Sequence, residues 1–383
     1  MTALAFDAKH PLVQDLNGGT RWLWSGRKRR PAYALVLYLT QGCQWGSQNG
    51  KRDFRKCRFC HIPSAAQYLL DQHNSGNQLA AGDQANLFRH TLDEALAAAE
   101  HEVDTVAVYN AGSFLEPLNP PELRRAVFEH ILSIESVQRI VIESRVSTPL
   151  DDHKVMLLTD EALSPLMELL APRNVELEIR FGVETKNKRL RNGILGKGLS
   201  DEDLLLASKI CKSYSITPGA YVLLNPAPFD DMRDAMEQER ASDDEVFAWA
   251  EDEALETIRW ILRPQPDGIG FSHVFFRAVS VQDGSGLEDA WNHGQFRPAN
   301  HTMVLNVLKQ AAIEFGSRVE LLHDAEEPEM IKTPSNHVPT GIHQDLHDAQ
   351  GCDVAFRTMF EQYRQTMDPN ILHAPPCATC NPM

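Results

Sequence analysis

The sequence has no apolar run long enough to span a bilayer, and Met1–Leu16 carries Asp and His where a secretory signal would have an apolar core. No membrane association is expected, and the expected setting is cytoplasmic, where thiols stay reduced. Positive charge is in deficit: Lys and Arg total 37 against 53 Asp and Glu, a formal net charge of −16. An acidic surface repels phosphate backbones, which argues against a large non-specific nucleic-acid footprint. The one basic cluster, Arg27-Lys28-Arg29-Arg30, reads as a solvated turn before the first strand. There is no internal repeat of solenoid period and no low-complexity tract. Gly and Pro, 22 each in 383 residues, are ordinary, so the chain is not read as disordered. What remains is a chain with 43% hydrophobic residues, enough for one large domain or two moderate ones.

A rhythm of strands and helices begins with the apolar run Ala34–Thr40. Further strands are expected at Asp104–Asn110, Gln138–Glu143, Val175–Val183, Gly219–Leu224 and Gly268–Phe276. Helices are expected at Leu92–His101, Pro121–Ser133, Asp160–Leu170, Ser200–Ser213 and Asp243–Leu262, the fourth capped by Ser200 ahead of an acidic first turn. Residues 71–86 are polar and read as a surface excursion. Six alternating strands imply βαβ units and a parallel sheet, and strands apolar nearly throughout imply that both faces are covered. Polar residues follow five strand ends. In a barrel those ends converge on one mouth, whereas an open sheet would spread them along an edge. The expected fold is therefore α/β, a partial (β/α)6 barrel over residues 34–276. It is preceded by an N-terminal extension, 1–33, and followed by a C-terminal extension, 277–383. That last part has helical stretches at Thr302–Phe315 and Asp353–Thr366 and one more short strand near Val319.

Three of the seven cysteines sit just after the first strand: Cys43, then, with thirteen residues between, Cys57 and Cys60 in a Cys-x-x-Cys pair. Four readings compete. Core packing suits one buried cysteine better than three in a polar, basic loop. Zinc has the right ligand types if His61 joins. Covalent haem matches Cys57-Arg58-Phe59-Cys60-His61 but requires export. A [4Fe–4S] cluster with three protein ligands leaves one iron open to a substrate or cofactor.

The chain resembles the radical S-adenosylmethionine (SAM) superfamily in having three cysteines after the first strand of a (β/α)6 pattern, with an aromatic residue just before the last. The loop is stretched, as in the Elp3/MiaB-like branch. Further segments are similar to the archaeosine-biosynthesis radical SAM group: Tyr109–Pro117, Ile142–Arg145, Glu178–Thr185, Gly196–Gly198, Tyr221–Pro228, and Val281-Gln282 with Trp291–Pro298. The resemblance implies that Cys43, Cys57 and Cys60 ligate a [4Fe–4S] cluster and that SAM is the cofactor. It implies Phe59 near the adenine, Gly112 and Ser113 near the methionine amino group, and Glu143 and Arg145 at the ribose hydroxyls or carboxylate. Arg180 and Glu184 are further candidates for the same ligand. A carboxylate accepts from hydroxyls, and an arginine fork matches a carboxylate. The implied reaction is reductive cleavage of SAM to a radical, fed by an external donor such as flavodoxin or ferredoxin.

Cys377 and Cys380 form a second Cys-x-x-Cys that Cys352 can approach, a candidate second cluster, metal or soft-substrate site. Cys211 reads as core. The acidic charge favours a small-molecule or natural-product substrate over a tRNA nucleoside of the deazaguanine type. A non-catalytic metal- or SAM-binding protein is the third reading. Anaerobic reconstitution with iron and sulfide counting is expected to give about four irons per chain from the first loop; a count near eight would add a cluster at the tail.

Overall fold

The computed structural model describes residues 21–25, 30–36, 43–48, 51–53, 55–60, 70–71, 76–77, 79–97, 102–109, 112–150, 153–279, 281, 285–321 and 352–373. Its main sheet contains β1 (Arg21–Ser25), β2 (Arg30–Val36), β5 (Thr105–Tyr109), β6 (Arg139–Glu143), β9 (Glu176–Glu184), β10 (Thr217–Leu224), β11 (His273–Ala278) and β12 (Val319–Leu321). Two small antiparallel ribbons, β3 (Ser47–Gln48) with β4 (Lys51–Arg52) and β7 (Ser147–Leu150) with β8 (His153–Met156), stand apart from it. The order in the main sheet is β1-β2-β5-β6-β9-β10-β11-β12, with every pair parallel except β1–β2. Each parallel strand lies beside its predecessor, so the order never reverses. A doubly wound sheet requires a reversal at its switch point; a steady progression winds the sheet one way into a barrel wall. Because β1 and β12 are not paired with each other, the wall is a partial barrel.

The crossovers carry α1 (Ala81–Ala97), α2 (Pro121–Leu132), α3 (Asp160–Leu170), α4 (Asp201–Ser213), α5 (Phe229–Met236), α6 (Asp243–Leu262), α7 (Glu288–Asn292) and α8 (His301–Phe315), and α9 (Cys352–Thr366) follows β12. Ser200 and Ser242 begin α4 and α6 with full capping boxes, each serine hydroxyl accepting from the third helical N–H while that residue's carboxylate accepts from the serine N–H. The expected bounds of α3 and α6 are the observed ones.

Several elements differ from the sequence reading. The first strand begins at Arg30, and residues 37–40 lie outside the described residues. The extension before it contributes β1 as an antiparallel edge. The sixth strand starts at His273 and not Gly268, because Gly270 holds φ +81° and breaks the extended run. Within the polar stretch 71–86, α1 already starts at Ala81 and buries Gln84 and Ala85 alongside Leu87 and Phe88. A polar composition conceals a helix when small and amide side chains occupy part of its inward stripe.

The strands are also less uniformly apolar than expected. Val106, Val108, Ile140, Ile142, Leu177, Ile179, Phe181, Val183, Ala220, Val222, Leu224, Val274 and Phe276 join the helices in one continuous apolar core. Their alternate neighbours face the concave side and include Glu178, Arg180, Glu184 and His273, all buried. The period-two pattern of Glu176–Glu184 thus separates a greasy outer face from a charged inner one. Phe181→Ala removes a side chain that is 1% exposed and packs on Phe271 at 5.5 Å. It is expected to cost about 3–5 kcal/mol, read as a fall in the urea midpoint.

Candidate functional site

The parallel strands all end at the same rim. Cys43, Gly112, Ser144, Glu184 and Asn225 follow or close β2, β5, β6, β9 and β10 there. Two of these strands end in left-handed residues that are not glycine, Glu184 (φ 70°) and Asn225 (φ 51°), and Cys57 is a third at φ 45°. Such conformations cost on the order of 1–3 kcal/mol each and gather where a site over-determines the backbone.

Cys43, Cys57 and Cys60 form no disulfide. A turn brings Cys60 N–H to donate to Cys57 O at 2.8 Å. Burial pushes the Cys43 thiol up to about 12, helped by the negative fields of Glu116, Cys57 and Cys60 and opposed by Arg145. Cys43 therefore lies within the fields of both other cysteines, and without a counter-charge its thiol stays neutral. A bound metal centre reverses that logic by stabilising the thiolates. Among the described residues, no group of three His, Cys, Asp or Glu side chains is placed to hold a metal ion. A four-iron cluster sets its thiolates on separate irons, further apart than the ligands of one ion, and the soft three-thiol donor set fits such a cluster. His61 lies outside the described residues.

Gly112 abuts Cys43: a Cβ there would stand 2.8 Å from Cys43 N. The Gln44 N–H donates to Glu116 Oε2 at 2.9 Å. Glu116 is 1% exposed, and burial pushes its carboxyl up to about 7 against the Gln44 hydrogen bond and Arg145. Its Oε1 has no hydrogen-bond partner. Glu116 was not among the expected site residues; its only sequence signal is its place in the Gly112–Pro117 segment.

The candidate SAM contacts divide into two groups. Ser113 is buried as a knot, its Oγ 2.8 Å from Ser144 Oγ and accepting from Arg145 N–H at 2.9 Å. Arg145 donates through Nε to Ser147 O (3.0 Å) and through Nη2 to Lys197 O (2.6 Å). Glu143 stands opposite Arg180 in the sheet register. Phe59 is half-buried between the main core and a smaller apolar cluster of Leu223, Val279, Val281, Leu287, Ala290 and Phe296. These residues line the side of the mouth near the cysteine loop. Arg180 lies deeper, donating to Glu178 (2.7 Å) and stacked over Phe275 at 3.6 Å. Burial alone would raise Glu178, but Arg180, His273 and Arg139 hold its carboxyl below the usual range. Glu184 accepts from Lys197 Nζ at 2.8 Å, both side chains buried. Gly182 makes room for this pair, since a Cβ there would meet Glu184 Oε1 at 2.5 Å and Lys197 Nζ at 2.7 Å. Burial acts to lower the Lys197 ammonium's pKa, yet the fields of Cys57 and Glu184 outweigh it and hold the value above the ordinary lysine range.

Cys211 is fully buried in α4, as expected for core. Cys352 opens α9, but its side chain, together with Cys377 and Cys380, lies outside the described residues. Among the described residues, no helix is long and apolar enough to cross a membrane.

Fold and site define a class: a partial (β/α) barrel with three thiols gathered at the C-terminal rim of its strands. No family model matches the chain. The chain is similar to archaeosine synthase subunit beta of Methanosarcina acetivorans, with 23% identity over 346 residues that cover 89% of this chain and 81% of that protein. It is similar also to the protein of the same name from Thermococcus kodakarensis, with 27% identity over 293 residues, 76% of this chain and 75% of the relative. The names of these relatives agree with the archaeosine-related resemblance drawn from the motifs. Among solved structures, Elp3 of Methanocaldococcus infernus superposes with a TM-score of 0.48 at 14% identity, over 78% of this chain. The match spans 62% of the Elp3 chain, less than two thirds of it. Queuine lyase from Clostridium spiroforme gives a TM-score of 0.42 at 14% identity, over 79% of this chain and 94% of that one.

Lys197→Met leaves the Glu184 carboxylate buried without its cation. It is expected to destabilise the protein by about 3–5 kcal/mol in denaturant titrations, with most of the loss recovered in the Lys197→Met/Glu184→Gln double variant.

Proposed function

We propose that the protein is a radical SAM enzyme in which Cys43, Cys57 and Cys60 hold a [4Fe–4S] cluster that leaves one iron for SAM. The observation that carries this reading is the gathering of three buried or half-buried thiols at the mouth of a partial barrel, with Gly112 pressed against Cys43. The chemistry such a cluster supplies when bound is one-electron reductive cleavage of the SAM sulfonium, yielding a radical that takes a hydrogen atom from substrate.

This chain's own residues bind, orient and exclude. Gly112 lets the backbone after β5 lie directly against Cys43, as only a residue without Cβ can. The Glu143 carboxylate offers acceptors to ribose hydroxyls. Arg145 already spends two of its five N–H donors on backbone carbonyls, so its contribution to a SAM carboxylate comes from the three N–H groups left on Nη1 and Nη2 and from its charge. Phe59, packed against the smaller apolar cluster, supplies an apolar wall for adenine and keeps water from that side. Arg180 and Glu184, committed to Glu178 and Lys197, shape the field of the inner face. An external electron donor completes the system.

The substrate reading follows the named relatives. Their description as archaeosine synthase subunit beta favours a modified-nucleoside substrate of the deazaguanine type, in tRNA and with a partner subunit, over a free small molecule. The net charge of −16 means that RNA contact would rely on a local basic surface or on the partner. The C-terminal cysteines Cys352, Cys377 and Cys380 remain a proposal for a second metal or soft-substrate site.

The test is anaerobic reduction in the presence of SAM with mass-spectrometric product analysis. 5′-Deoxyadenosine and methionine are expected from the wild type, with Cys57→Ala at the uncatalysed background. 5′-Methylthioadenosine would point to cleavage of a different carbon–sulfur bond, and no SAM cleavage at all would favour a non-catalytic SAM- or metal-binding protein.

A further inference from the structure

The thirteen residues between Cys43 and Cys57 do more than connect them. Trp45, two residues past Cys43, donates its indole Nε1–H to Gly196 O at 2.6 Å. Its ring lies against Gly198, whose φ of +59° and lack of Cβ leave the space the ring fills; a Cβ there would collide with Cη2 and Cζ2. Lys56 Nζ and Arg145 Cζ lie over the same ring at 4.5 and 4.8 Å. Arg145 in turn donates to Lys197 O, the carbonyl between the two glycines. On the other side of the loop, Arg58 N–H donates to Leu195 O at 3.3 Å, and Gly196 packs on the Arg55 carbonyl. The segment Leu195–Gly198 is thus bound at both ends of the cysteine loop, beside Cys43 through Trp45 and around Cys57 through Arg55 and Arg58.

We propose that Trp45 is a positioning residue that clamps the cysteine loop to the turn after β9 and holds the three thiols in the arrangement a cluster requires. The proposal rests on the cluster-binding reading given above. Two features separate this role from ordinary packing. Among the described residues, Trp45 belongs to neither apolar cluster, so the barrel core formed by those residues does not depend on it. Cys57 sits at φ 45°, a conformation that the loop alone does not favour and that external contacts must hold. The clamp acts on the ligands through the backbone, and the indole touches no sulfur in this role.

The experiment uses the full chain. Metal-free wild type, Trp45→Phe, Trp45→Ala and Gly198→Ala are treated with iodoacetamide under anaerobic conditions, and the modification of each cysteine is followed by peptide mass spectrometry. Cys211, fully buried in α4, is the internal control for global opening. Trp45→Ala is expected to raise the alkylation rates of Cys57 and Cys60 about tenfold with Cys211 unchanged, because local opening of a clamped loop becomes easier while the core stays closed. Trp45→Phe, which keeps a ring but loses the donor, is expected between wild type and Trp45→Ala. Gly198→Ala is expected to match Trp45→Ala. After reconstitution the same variants are expected to show a broadened electron paramagnetic resonance signal from the reduced cluster and faster loss of iron to a chelator. Wild-type alkylation rates at Cys57 and Cys60 in Trp45→Ala would overturn the proposal. So would acceleration at Cys211 in parallel with the loop thiols in both Trp45→Ala and Trp45→Phe. If the wild type takes up no iron, the cluster reading fails, and with it the role assigned to the clamp, whereas a wild type that loads iron beside variants with unaltered thiols and signal sinks the clamp alone.

Discussion

Close approach of one backbone to another governs the candidate site. The cysteine loop lies against Gly112 on one side and against Gly196 and Gly198 on another, at separations that no side chain with a Cβ leaves open. Hydrogen bonds fasten these contacts: Gln44 to Glu116, Trp45 to Gly196, Arg58 to Leu195, and Gly286 N–H to Arg58 O at 2.6 Å. The last of these joins the loop to the segment after β11, and the Arg58–Asp231 pair at 2.8 Å joins it to α5. A loop of polar residues with little apolar surface of its own acquires a fixed shape because several strand-end segments grip its backbone.

The barrel wall supplies the frame for that grip. Its outer face is a continuous apolar core shared with the helices, and its inner face carries charges that are taken from water but paired. Buried ion pairs add little net stability, since desolvation offsets most of their attraction, but each fixes a geometry. Arg180 is held flat on Phe275 by Glu178, and Glu184 is held over Gly182 by Lys197. The second of these links β9 to the Gly196–Gly198 turn and so to the cysteine loop. A chain of contacts runs from the sheet to the thiols without passing through the apolar core.

The same arrangement engages two of the expected SAM contacts with partners inside the protein. Arg145 and Glu184 are the residue types that address a carboxylate and a hydroxyl, and both stand at strand ends. Their side chains are nonetheless engaged with Ser147, Lys197 and the Trp45 ring. Residue type at a strand end is compatible with ligand binding and with wall building alike. The choice depends on partners more than fifty residues away along the chain, such as Lys197 for Arg145.

The strand and helix rhythm, the capped start of α4, the partial-barrel class and the three-cysteine loop with its resemblance were all legible in the sequence. These follow from local chemistry: periodicity, capping and cysteine spacing act within a few turns of chain. The sequence did not reveal the inward charged face: Glu178, Arg180 and Glu184 alternate visibly with Leu177, Ile179, Phe181 and Val183, but alternation alone does not say which face turns inward or that charges buried there find partners on other segments. Nor did it reveal Glu116 or the Trp45 clamp. Trp45 meets Gly196 across 151 positions and Gln44 meets Glu116 across 72, and no local pattern encodes such pairs. Which glycines face a backbone, which charges pair, and that the long loop is a docked arm were settled only in the tertiary structure, because those outcomes depend on distances between segments that the curled wall of strands brings together.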